Sequence, residues 1–158
     1  MKTLVVYYSR TGNTRQLAKS VAAALNADIE RVVDLKPRKG ILGCIGAAFD
    51  ALLGRTTRLK KTEKKPSDYD LVVFGTPVWA GTVAPAIRSY ILSHQNDFRK
   101  VAFFCTAGGQ SPGRAFSAMQ ALLSRKPLCA LNIKAKEIID TSFMGKARAF
   151  ARKLQHLQ

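Results

Sequence analysis

Apolar positions along the chain follow two rhythms in turn. Leu4, Val5, Val6, Tyr7 and Tyr8 form a short continuous apolar run, as a strand covered on both faces would. Leu17, Ala18, Val21, Ala22 and Leu25 then recur at helical spacing. The spacing predicts a second strand over 28–33, after which Pro37 and Gly40 interrupt it. From Ile41 the positions Leu42, Ile45, Ala48, Phe49, Leu52 and Leu53 predict a helix, weakened by Gly43 and Gly46 and ended near Gly54. Tyr69, Leu71, Val72, Val73 and Phe74 predict a third strand, followed by a helix with Ala86, Ile87, Tyr90 and Ile91. A fourth strand over 101–105 precedes a helix with Phe116, Met119, Leu122 and Leu123. A fifth strand over 131–139 leads to a last helix, capped by Thr141 or Ser142, with Ala147, Phe150, Ala151 and Leu154 on its apolar face.

Strand and helix thus alternate five times without a repeat, a low-complexity tract or a linker. This predicts one α/β domain over residues 1–158, built on a parallel sheet. The helix over 41–53 admits two readings. It lies on the sheet with its large apolar side chains inward, Phe49 included, because a parallel sheet needs cover on both faces. Alternatively it is an amphipathic segment that docks on a membrane, helped by its basic flanks. The first is the expectation.

Three of the strands end in loops rich in small and hydroxyl residues. The first strand runs into Ser9, Arg10, Thr11, Gly12, Asn13, Thr14 and Arg15 before a helix. Such a turn suits a phosphate, since hydroxyls, an amide and unpaired N–H groups converge at the positive end of the helix dipole. An ordinary capped helix start uses the same residue types. The third strand runs into Thr76, Pro77, Val78, Trp79, Ala80 and Gly81, and the fourth into Thr106, Ala107, Gly108 and Gly109. In an open parallel sheet, loops at the carboxyl ends of strands meet where ligands bind, so three loops point to one pocket.

Composition narrows the class. Hydrophobic residues make up 47% of 158, enough for one substantial core. No stretch approaches the roughly 20 apolar residues of a membrane span. The first residues lack the apolar core and cleavage site of a signal peptide, so a cytoplasmic location is expected. Cys44, Cys105 and Cys129 are widely spaced among apolar neighbours and read as buried thiols in a reducing compartment. With two histidines and no Cys-x-x-Cys spacing, no metal site is expected. No serine sits in a Gly-x-Ser-x-Gly turn, and no side chain stands out as a catalytic acid or base. Tyr8 reads as core and His94 as a surface or capping residue.

Charge changes the picture further. The chain has 26 basic and 10 acidic residues, a formal net charge of +16. Between residues 36 and 65, nine basic side chains face only Asp50 and Glu63. Such a surplus speaks to anionic partners: an acidic protein, nucleic acid or an anionic membrane surface. Nucleic acid is the weaker reading, because the segment lacks interleaved aromatics and no DNA-binding signature is present.

The ordered succession Ser9-Arg10-Thr11-Gly12-Asn13-Thr14, Thr76-Pro77-Val78-Trp79-Ala80-Gly81 and Thr106-Ala107-Gly108-Gly109 resembles that of a short-chain member of the flavodoxin family. The resemblance covers essentially the whole chain. It implies a three-layer doubly wound sandwich whose five-stranded parallel sheet has the order 2-1-3-4-5. It also implies noncovalently bound FMN, with the phosphate on Ser9, Thr11, Asn13 and Thr14 and on the backbone of Arg10, Gly12 and Arg15. Thr76 to Gly81 would line the isoalloxazine, with Trp79 stacked on it or else packed against neighbouring helices. Thr106 to Gly109 would offer N–H groups to the pyrimidine edge. The loop after strand four lacks the tyrosine that many relatives place over the second flavin face, and relatives are usually acidic.

The function expected from this resemblance is electron transfer or a small flavin-dependent oxidoreduction. Its partner would be a redox protein acidic at its docking face, since no Gly-x-Gly-x-x-Gly fingerprint for a dinucleotide is present. A non-enzymatic basic module of the same fold, holding an anionic partner, is the alternative.

Overall fold

The computed structural model describes residues 1–36, 40–109 and 111–157, and only the backbone of Gly40, Ile41 and Cys44. Pro37 and the Cys44 thiol, both named in the sequence analysis, lie outside the described residues, as do Arg38 and Lys39 of its basic segment and Gln110.

Five parallel strands form the sheet: β1 (Thr3–Tyr7), β2 (Asp28–Arg31), β3 (Leu71–Trp79), β5 (Lys100–Ala107) and β6 (Ala130–Lys134). Their order is β2-β1-β3-β5-β6, the expected 2-1-3-4-5 with one short strand added. That addition, β4 (Thr82–Val83), pairs antiparallel with the end of β3, Val78 opposite Val83 and Trp79 opposite Thr82. Parallel registers Val5 with Val73 and Val73 with Ala102 align the three central strands. Five-residue β1 is buried throughout, as its unbroken apolar run demands.

Alternate side chains of each strand feed two cores. Leu4, Val6, Val72, Phe74 and Phe103 face Ile87, Tyr90 and Met119, which come from α3 (Pro85–Ser93) and α4 (Gly113–Leu123). On the other face Val5, Val73 and Phe104 meet Leu17, Val21 and Phe150, from α1 (Asn13–Leu25) and α6 (Phe143–His156). Gly75 permits one close approach: a Cβ there would lie 2.2 Å from the Phe104 ring.

Several expectations need correction. The third and fourth strands run on into their supposed loops, to Trp79 and Ala107. The fifth ends at Lys134, and Ala135–Ile139 forms a short helix, α5, because Glu137 accepts the Lys134 backbone N–H and starts a new turn. Glu137 therefore belongs to a helix. Ser142 occupies the start of α6 without a side-chain cap.

The largest correction concerns α2 (Gly40–Leu52). It lies against β3, β4 and α3, but it buries Ala47, Asp50 and Ala51. Leu42, Ile45, Phe49, Leu52 and Leu53 are exposed, Phe49 at 60%, so Phe49 does not face the core. In the segment after the helix, Leu59 also packs on the core and bridges to Asp34. No helix among the described residues is long and apolar enough to cross a membrane.

Candidate functional site

A cavity of about 250 Å³ opens at the carboxyl ends of β1, β3 and β5. The first loop contributes Arg10, Thr11, Asn13 and Thr14 to its wall, the second Pro77, Val78 and Trp79, and the third Thr106, Ala107 and Gly108. Ala135, at the start of α5, completes it. Each predicted loop is thus represented, and the β-strand order brings them together.

In the first loop Ser9 is buried, and its Oγ accepts the Gly12 N–H at 3.1 Å. Gly12, with φ at +105°, turns the chain into α1, and its carbonyl accepts the first helical bond from Gln16. The N–H groups of Asn13, Thr14 and Arg15 precede that bond and have no acceptor within the helix. They are donors at the positive end of the dipole, in the geometry that holds anions. A Cβ on Gly12 would meet nothing within 4 Å, and the same holds at Gly108 and Gly109. Open space therefore adjoins the backbone on both sides of the cavity.

The first and third loops are joined by one contact. The buried hydroxyls of Thr14 and Thr106 lie 2.8 Å apart. One proton serves that bond, leaving the other hydroxyl hydrogen free to donate.

The second loop is a hairpin rather than an irregular turn. β3 reverses into β4 through Ala80 and Gly81, both at positive φ, +48° and +78°. This is the pattern of a two-residue primed turn, and an alanine there is strained. Thr76 is wholly buried; its hydroxyl donates to the Pro77 carbonyl at 2.9 Å and accepts the Ala84 N–H at 3.1 Å. Thr76, Ala80 and Gly81 thus shape the hairpin, while Pro77, Val78 and Trp79 line the cavity. Trp79 does two things at once. Its ring packs edge-on against Tyr8 at 5.5 Å between centroids, and the Arg10 guanidinium sits over its face at 5.7 Å.

Electrostatically the cavity is neutral to positive. Among the described residues, Arg10 is the charged member of the wall and no acid belongs to it. Beneath it, Cys105 is buried, donates to Asn132 Oδ1 at 3.2 Å, and has its thiol pushed up to about 12 by burial. It stays protonated and is no nucleophile. Glu137, behind Ala135, is held below the usual carboxylate range, first by Lys146 and then by the Lys134 N–H. Its charge is already matched. Tyr8 is core, as read, and His94 caps α3 while pairing with Asp97 at 3.0 Å.

Fold and site define a flavodoxin-like α/β protein. A family model described as NADPH-dependent FMN reductase matches residues 1–144, and the chain belongs to that family. Solved structures agree on the fold. The chain is similar to a flavoprotein from Lactobacillus acidophilus NCFM, solved in complex with FMN: 22% identity over 89% of this chain and 97% of that one, TM-score 0.70. Oxidised Flavodoxin 1 from Bacillus cereus shares 16% identity over the full length of both chains, TM-score 0.60. A flavodoxin, WrbA-like protein from Agrobacterium tumefaciens shares 15% over 96% and 98%, TM-score 0.55.

Proposed function

We propose that the chain is an FMN flavoprotein that carries out electron transfer or a small flavin-dependent oxidoreduction. The observation that carries this reading is that the ends of β1, β3 and β5 and the loops after them wall one common cavity, within a family described by its FMN chemistry. The cradle fits the cofactor. A phosphate dianion requires several convergent donors. Thr11, Thr14 and the N–H groups of Asn13, Thr14 and Arg15 supply them without a competing carboxylate.

FMN supplies the redox chemistry when bound, and the residues around it bind and orient it. In this reading Ser9 keeps the phosphate loop in shape by holding Gly12. Pro77, Val78 and Trp79 form an apolar wall that excludes water from one side of the ring. The backbone of Thr106, Ala107 and Gly108 would hold the ring side of the cofactor, and the Thr14–Thr106 bond ties that wall of the cavity to the phosphate loop. Arg10 adds positive charge, which favours the reduced, anionic form of the cofactor.

The test is an absorption spectrum of the purified protein followed by titration with FMN and with riboflavin. Thr11→Ala combined with Thr14→Ala is expected to weaken FMN binding on the order of 100-fold, two charge-assisted hydrogen bonds, and riboflavin binding far less. Equal loss for both ligands would remove the phosphate assignment. Absence of any flavin binding would remove the function.

A further inference from the structure

We infer that the exposed face of α2 is a docking site for an anionic lipid surface. At about 100° per residue, Leu42, Ile45, Phe49, Leu52 and Leu53 fall within one arc of the helix and its exit. All are exposed, Leu42 at 85%. The opposite arc carries Ala47, Asp50 and Ala51, which are buried. The helix is thus laid down with its small side inward and its hydrocarbon outward. Contiguous apolar surface of this kind marks an interaction site.

Charge identifies what covers it. Exposed Lys36 stands before the helix, and exposed Arg55, Arg58, Lys60 and Lys61 follow it. Asp50 is the one acid in α2, and it is 3% exposed. Lys36 meets it at 2.6 Å and Arg55 at 3.6 Å, so its charge is neutralised beneath the face. A second copy of the chain would bring another +16 to the same surface, and like charge opposes it. A negative surface meets no such cost.

Between a bilayer and an acidic protein, the outward arc itself decides. It bears no side chain that can donate or accept a hydrogen bond. A protein interface of ordinary kind is oriented by roughly ten such bonds. The acyl boundary of a membrane requires none. An apolar helix face with cations at its edges is the pattern of a segment lying in the interface plane, each cation contributing about fivefold to partitioning onto an anionic leaflet. Because α2 rests on β3 and β4, docking would hold the hairpin that walls the cavity beside the lipid.

Flotation of the full chain with vesicles tests this, using phosphatidylcholine alone and equal parts phosphatidylcholine and phosphatidylglycerol. The protein is expected to float with the mixed vesicles and to stay behind with phosphatidylcholine. Leu42→Ser combined with Phe49→Ser should lower the partition at least about tenfold, with circular dichroism and FMN affinity unchanged. Arg58→Glu combined with Lys61→Glu should lower it too. The inference is overturned if the double serine variant floats like the parent, since adsorption would then be charge alone. It is equally overturned if the parent stays in solution with both vesicles, as for a site that takes an acidic protein. A parent dimer that the serine variant dissociates would make the occupant a second copy instead.

Discussion

α1 and α2 are both 13 residues long and both carry apolar side chains at helical spacing, yet they sit on the molecule in opposite senses. α1 turns Leu17, Ala18 and Val21 into the core and Arg15 and Lys19 outward. α2 turns Ala47 and Ala51 inward and Leu42, Ile45, Phe49 and Leu52 outward. The difference teaches that periodicity locates an apolar face and does not say what covers it. α1 is placed by its loop: Gly12 delivers it from β1 straight onto the sheet. α2 instead packs through Ala47, Asp50 and Ala51, and Leu59 of the segment after it packs on the core beside it.

The contrast breaks most visibly under truncation. Leu17→Ala removes a wholly buried side chain and is expected to lower unfolding free energy by about 3 kcal/mol. Phe49→Ala, a larger truncation, is expected to change it by no more than about 0.5 kcal/mol. Urea denaturation of both variants measures this. A cost at Phe49 comparable to that at Leu17 would mean α2 is packed in solution as α1 is.

Asp50→Asn sharpens it at a smaller scale. The carboxylate is buried while Lys36 and Arg55 remain solvent-accessible, so its loss leaves cations that water can serve. The expected cost is about 1–2 kcal/mol, short of that for a fully buried pair. Stability of the parent should fall with added salt more steeply than that of the variant.

How much of this was legible beforehand follows from where each signal lies. The strands and the three loops were readable because continuous apolar runs and Gly/Ser/Thr clusters are local, whereas the strand order came with the resemblance to the flavodoxin family. The course of β3 was missed since Gly75 and Pro77 read as loop, although Thr76, Val78 and Trp79 already carry strand residues ahead of a two-residue turn. Helix α5 was hidden because Leu131 to Lys136 alternate apolar and polar residues as a strand does, and only Glu137, three residues after Lys134, marked a capped start. The Thr14–Thr106 bond joins positions 92 apart, and no local pattern can announce it. The outward face of α2 was the second of two readings that periodicity left open, because helical spacing alone cannot say whether an apolar face meets the sheet or something outside it.

One substitution should change sign between the two regions. At Gly12 and at Gly46 an added Cβ meets nothing within 4 Å, so packing is silent at both. Gly12 has φ at +105°, a conformation that costs an L side chain about 1 kcal/mol, so Gly12→Ala should destabilise by about that much. Gly46 lies inside α2, where alanine loses less backbone entropy than glycine, so Gly46→Ala should stabilise by about 0.5–1 kcal/mol. Thermal melts of the two variants read the signs directly. If Gly46→Ala also destabilised, α2 would not be a persistent helix in the free protein. The exposed stripe it presents would then form only on contact with its partner.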